Sequence, residues 1–133
     1  MKLLLDTHVW LWALTDPARL VPRVRKALGD ARNELWLSPI SVGEAFLLCR
    51  KGRLEPVDGG DAWEKISSSL ANGKHMEASL TFGVALEFSR VHLAHRDPAD
   101  RYLVATARFY DLTLVTADVR LLEIPNLKLL SAR

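Results

Sequence analysis

Four acidic residues spread along the chain each sit where a predicted element begins or ends. Asp6 closes the apolar run KLLL, Glu44 lies in the first turns after ELWLSPI, Asp100 falls in DPADRYLVATA, and Asp118 closes LTLVTAD. Gathered in one place, four carboxylates repel one another strongly unless a cation shares them. Oxygen-only donors, with no cysteine nearby and no paired histidine motif, select the hard cations Mg²⁺ or Mn²⁺ over zinc. His8, His75, His92 and His95 lack a metal-site spacing, and the lone Cys49 sits in an apolar helical segment as a small hydrophobe. A divalent cation held by Asp6, Glu44, Asp100 and Asp118 suits phosphodiester hydrolysis. It polarises a phosphoryl oxygen, lowers the pKa of a water and offsets charge in the in-line transition state; one ion, or two about 4 Å apart, can serve.

Each acid also has a local explanation that must be weighed. Asp97 precedes Pro98, the favoured first residue of a helix, and so reads as an N-cap worth about 1 kcal/mol. Asp100 lies three residues further on, in the middle of the stripe formed by Leu103, Val104 and Ala107, with Arg101 and Arg108 on the other side. A charge facing a sheet costs several kcal/mol unless compensated, so a cation is expected beside Asp100 rather than beside Asp97. Glu44 follows Ser41 by three and fits a capping box, but it shares a face with Leu47 and Leu48 and is expected to point inward. Asp6 and Asp118 can each cap the helix that follows.

The elements that must position these side chains are short. KLLL and ELWL read as strands followed by helices, and TDPARLVPRVRKALGDA as a surface helix starting at Asp16 and Pro17 and stopping at Gly29. DAWEKISSSLANG, KHMEASL and TFGVALEFSRV read as helix, extended piece and helix, with a turn at Asn72 and Gly73. DPADRYLVATARFYD is a strong helix, LTLVTAD a strand, and LKLL a last short strand. Strands alternating with helices imply parallel βαβ units in a three-layer α/β/α fold with a short, mainly parallel central sheet. In such sheets ligands gather beyond the carboxyl ends of the strands, where Asp6 and Asp118 fall.

The 133 residues suit one domain spanning 1–133. Composition is that of an ordinary soluble protein, which excludes a disordered or low-complexity chain. The start, MKLLLDTHVWLWAL, is interrupted by Asp6 and His8 and has no small-residue cleavage site, so a cytoplasmic chain without a membrane span is expected. Net charge is +2, but setting the four site acids aside leaves 18 basic against 12 acidic residues, a basic surface suited to a polyanion.

Taken in order, LLLDTHVWLW, SPISVGEAFLL, HRDPADRYLVATA and LTLVTADVRL resemble the PIN-domain nucleases over essentially the whole chain, and most closely the VapC-type toxins of type II toxin–antitoxin systems. The resemblance implies a Mg²⁺- or Mn²⁺-dependent endoribonuclease whose acidic quartet is Asp6, Glu44, Asp100 and Asp118. It implies that Asp6 and Asp100 hold metal directly while Glu44 and Asp118 act largely through water, and that Thr116 orients a water or phosphate. It further implies a homodimer silenced by a small antitoxin laid in a groove beside the site.

Independent support for an interface is modest: Trp10 and Trp12 are two apart on one helix, so they cannot share a face. Arg50, Lys51, Arg53, Arg96 and Arg101 lie in site-proximal segments and can meet RNA phosphates. A phospho-acceptor receiver domain would need a lysine late in the LTLVTAD strand, which is absent. A non-catalytic RNA-binding or protein-interaction module on the same fold is the rival, as is a DNA-directed nuclease, because carboxylates and metal do not distinguish the two backbones.

Overall fold

The computed structural model describes residues 1–93 and 97–133; His95 and Arg96 lie outside them. Among the described residues five strands, Lys2–Leu5 (β1), Glu34–Leu37 (β2), His75–Glu77 (β3), Thr113–Thr116 (β4) and Leu129–Ser131 (β5), form one sheet in the order β3-β2-β1-β4-β5. All four pairings are parallel. The chain winds outward from β1 through β2 to β3, then crosses back to place β4 on the other side of β1. The direction of winding therefore reverses between β1 and β4, and the crevice at their carboxyl ends is the switch point where ligands collect.

Period-two alternation splits the strands between two cores. Leu3, Leu5 and Val115 face one layer, where Val9, Trp10 and Leu11 of α1 (Thr7–Thr15), Val24 of α2 (Pro22–Gly29), Ala45 of α3 (Pro39–Arg50) and Ile66 of α4 (Ala62–Ala71) are buried. Leu4 and Leu114 face the other, against Val84 of α5 (Phe82–Phe88), Leu103, Val104 and Ala107 of α6 (Pro98–Tyr110) and Leu121 of α7 (Val119–Leu122). This is the expected three-layer α/β/α arrangement, and the stripe foreseen on α6 is buried as a unit.

Two boundaries differ from the sequence reading. The helix assigned from Asp16 begins instead at Pro22: Pro17–Arg19 forms a separate 3₁₀ turn, and Val21 is extended, as the residue before a proline prefers. The helix after β2 starts at Pro39, with Ser38 as its cap accepting the Ile40 N–H at 3.1 Å. Ser41 is therefore inside the helix and caps nothing, which removes the capping-box explanation of Glu44. The turn at Asn72 and Gly73 is present, with Gly73 at φ 71° supplying the left-handed backbone.

Candidate active site

The parallel register carries Asp6 to its neighbour. Leu5 pairs with Val115, so the next residues, Asp6 and Thr116, stand side by side at the carboxyl edge, and the ladder runs one step further through Asp6 N–H to Val115 O at 3.0 Å. Thr116 is fully buried and donates its hydroxyl to Asp6 Oδ2 at 2.6 Å, while accepting the Asp118 N–H at 3.1 Å. Its hydroxyl proton is thus directed at Asp6 and its side chain has no exposed surface, so the partner it meets here is a carboxylate.

Asp100 arrives by a different route. A helix that feeds a parallel strand must start at the carboxyl edge of the sheet, and α6 does so. Asp97 caps it by accepting the Ala99 N–H at 3.0 Å, and Asp100, in the first turn, faces inward with 9% of its surface exposed, as does Asp6. Glu44 comes from the second turn of α3, whose N-terminal part is tied to α1 by the buried Thr7 hydroxyl donating to Ser41 Oγ at 2.8 Å. Its expected neighbour Leu47 is half-exposed; the inward face of α3 is centred on Ser41 and Ala45, with Glu44 and Leu48 half-buried at its margin.

Asp6, Glu44, Asp97, Asp100 and Asp118 line one pocket of about 290 Å³, with Thr7, His8, Trp12 and Arg120 among its other walls. Burial pushes the Asp6 carboxyl up from the ordinary aspartate range; the Thr116 hydroxyl and His8 oppose the shift, and the charge of Glu44 adds to it. Asp118 also caps α7 through the Arg120 N–H at 2.9 Å, so its local role is real and coexists with its place on the pocket wall. Its carboxylate is gripped by the Arg120 guanidinium in a two-pronged contact of 3.1 and 2.8 Å, and Arg120 Nη2 lies 3.6 Å from Asp100 Oδ2.

As they stand, no three Asp, Glu, His or Cys side chains among the described residues converge tightly enough to form a ready coordination sphere. The donor chemistry nonetheless fits a hard divalent cation, because the four quartet side chains lining the pocket offer carboxylate oxygen and two of them are buried. A cation there relieves both the desolvation of Asp6 and its repulsion from Glu44.

Trp10 is buried, donating to Ser69 Oγ at 3.2 Å, whereas Trp12 lines the acidic pocket with the Arg19 guanidinium 4.4 Å from its ring centroid. Arg50, Lys51 and Arg53 are not among the pocket's lining residues, and Arg101 sits against the Phe88 ring. The sequence reading missed Arg120 and the Thr7–Ser41 bond. The spacing of Arg120, two after an N-capping aspartate, was the available signal, since an Asx-type turn folds such a side chain back onto the carboxylate.

Fold and pocket together describe a doubly wound α/β/α protein with an acidic, carboxylate-lined pocket at its switch point and His8 on its wall. Residues 3–127 match the PIN domain model, and the chain belongs to the PIN domain family, whose members are nucleases that generally depend on divalent metal. No curated protein sequence matches the chain. Among solved structures, it is similar to VapBC2 from Rickettsia felis bound to a promoter DNA fragment, at TM-score 0.77 and 17% identity over 100% of both chains. It is similar also to FitAcB from Neisseria gonorrhoeae, at TM-score 0.67 and 21% identity over 98% of this chain and 97% of the other. A third is VapBC-5 from Mycobacterium tuberculosis, a member of the VapBC family of toxin–antitoxin systems, at TM-score 0.64 and 16% identity over 98% of each. At these identities the likeness establishes the fold.

Proposed function

We propose that the protein is a Mg²⁺- or Mn²⁺-dependent endoribonuclease, the VapC-type toxin of a type II toxin–antitoxin pair. The observation that carries this reading is the convergence of Asp6, Glu44, Asp100 and Asp118 on one pocket at the β1/β4 switch point. Asp6 and Asp100, the two buried acids, would hold the metal directly, and Glu44 and Asp118 would complete the set from the pocket walls. When bound, the cation polarises a phosphoryl oxygen and acidifies a water for in-line attack.

The chain's own residues do the rest. Thr116 holds the Asp6 carboxylate in one orientation, the Asp97 cap fixes the start of α6 and so aims Asp100, and the Thr7–Ser41 bond holds the two elements that carry Asp6 and Glu44. Trp12 on the pocket wall, with the Arg19 guanidinium over its ring, supplies an aromatic and cationic edge beside the carboxylates that suits a nucleotide. The basic surface expected from composition draws the polyanion in.

A cognate antitoxin belongs to the same reading and is supported by fold neighbours drawn from toxin–antitoxin systems; a homodimeric state is proposed with it. Action in the cytoplasm is part of the same proposal. No helix among the described residues is long and apolar enough to cross a membrane. The test is incubation of purified protein with total RNA and with single-stranded DNA of matched length, with Mg²⁺, with Mn²⁺ or with chelator, beside Asp6→Asn. RNA cleavage that needs metal and disappears in the variant is expected. Cleavage that persists in chelator refutes the mechanism, and cleavage of DNA alone refutes the substrate.

A further inference from the structure

Arg120 is the one cation of α7 that turns into the carboxylate pocket. Its guanidinium engages both oxygens of Asp118, at 3.1 and 2.8 Å, and approaches Asp100 Oδ2 at 3.6 Å, with the field of Asp97 acting on it as well. Its side chain is 54% exposed, whereas that of Asp100 is 12% exposed. The arginine therefore reaches in from solvent across the mouth of the pocket and can swing back out without disturbing a core, while the acid it reaches is fixed in place.

We propose that Arg120 is a resident counter-charge of this pocket, released from Asp118 and Asp100 when a divalent cation enters and then presented to a phosphate of the nucleic-acid substrate. The proposal rests on the metal-site reading given above. A carboxylate whose two oxygens both accept from one guanidinium has few lone pairs left for a metal, so arginine and metal compete for the same donors. Guanidinium remains charged at any working pH, so the competition does not relax on titration. It relaxes when another planar or tetrahedral anion takes the fork, and phosphate is well matched to it. Metal and polyanion then bind cooperatively through Arg120, and by linkage each tightens the other by the same factor.

The test is a calorimetric Mn²⁺ titration of the whole protein, wild type, Arg120→Gln, Arg120→Lys and Asp6→Asn, with melting temperatures of the metal-free forms. Each titration is repeated with a phosphorothioate RNA oligonucleotide present. Removing the fork should tighten Mn²⁺ binding about tenfold, the upper range for releasing a pair of partly exposed ion contacts. It should also lower the metal-free melting temperature, with Arg120→Lys between the two. The oligonucleotide should tighten Mn²⁺ binding to the wild type and have little such effect on Arg120→Gln. Equal or weaker Mn²⁺ binding by Arg120→Gln overturns the proposal while leaving the metal site intact. Wild-type protein that binds no Mn²⁺, or binds it equally well as Asp6→Asn, overturns the metal-site reading and this proposal with it.

Discussion

Thr116 tests the geometry of the site without touching an acid. Thr116→Val keeps the shape and removes the hydroxyl, which costs the Asp6 carboxylate its 2.6 Å donor and the Asp118 N–H its 3.1 Å acceptor. A hydrogen bond to a charged partner contributes roughly 1.5–3 kcal/mol, and the second bond, at a half-buried residue that water can reach, adds less. A loss of about 2–3 kcal/mol is expected, which in a chain of this size lowers Tm by about 6–15 °C. Thr116→Ser keeps the hydroxyl and loses one methyl, for about 1 kcal/mol.

The pH dependence separates this account from a packing defect. Asp6 is already raised by burial, and Thr116 is the first of the groups that oppose the rise, so its removal lifts the Asp6 pKa further. A raised carboxyl begins to destabilise the fold as pH rises past its unfolded value, where the unfolded chain ionises first, and the penalty is complete above its folded pKa; below the unfolded value it is absent. The gap between Thr116→Val and wild type should therefore be widest at neutral pH and narrow as Asp6 becomes protonated. Thermal melts from pH 4 to 8 on metal-free protein measure it. Equal losses for Val and Ser, or a gap that ignores pH, would show that the hydroxyl does not orient Asp6.

Other outcomes follow from the same contacts. Asp6→Asn should abolish metal-dependent cleavage yet raise the metal-free Tm at pH 7.5, because a desolvated charge next to Glu44 is removed; a lower Tm at that pH counts against a repulsive pocket. Asp97→Ala should cost about 1 kcal/mol through loss of the α6 cap, read as a Tm drop of about 3–5 °C with most RNA cleavage retained. His75 is held neutral by burial, its pKa lowered, so stability is present above the ordinary histidine value and lost as pH falls through the depressed one; His75→Gln should flatten that acid limb in urea midpoints measured between pH 7 and 5.

Much of the fold could be read from periodicity because each element carries its own signal. KLLL and TLVT are too short for helices and are bounded by acids, and α6 combines an Asp-Pro start with a buried stripe at helical spacing. Where reading failed, two local rules competed. Asp16-Pro17 is as good a helix start as Val21-Pro22, and both are used: Pro17–Arg19 makes one 3₁₀ turn, and Pro22 then pushes Val21 into the extended region so that the α-helix begins only there. Glu44 shows the same limit from the other side. Serine three residues before glutamate satisfies a capping box on paper, and only the structure shows that Ser38 with Pro39 starts the helix, leaving Ser41 to meet Thr7.

The site was legible as a set of acids and illegible as a set of contacts, and the reason is physical. Strand ends and helix starts can be placed from sequence, so the topology alone predicts that Asp6, Asp118 and Asp100 meet at one edge. What those side chains touch depends on register and on turn geometry. A slip of one residue between β1 and β4 would set Ala117 rather than Thr116 beside Asp6, and the hydroxyl that holds the carboxylate would be lost without any change in the acidic quartet. The fork from Arg120 is likewise a product of the tight turn that makes Asp118 a cap. A chain carrying the four acids in the wrong register would keep the motif and lose the site, so the contacts of Thr116 and Arg120 discriminate an assembled site from a motif more sharply than the acids do.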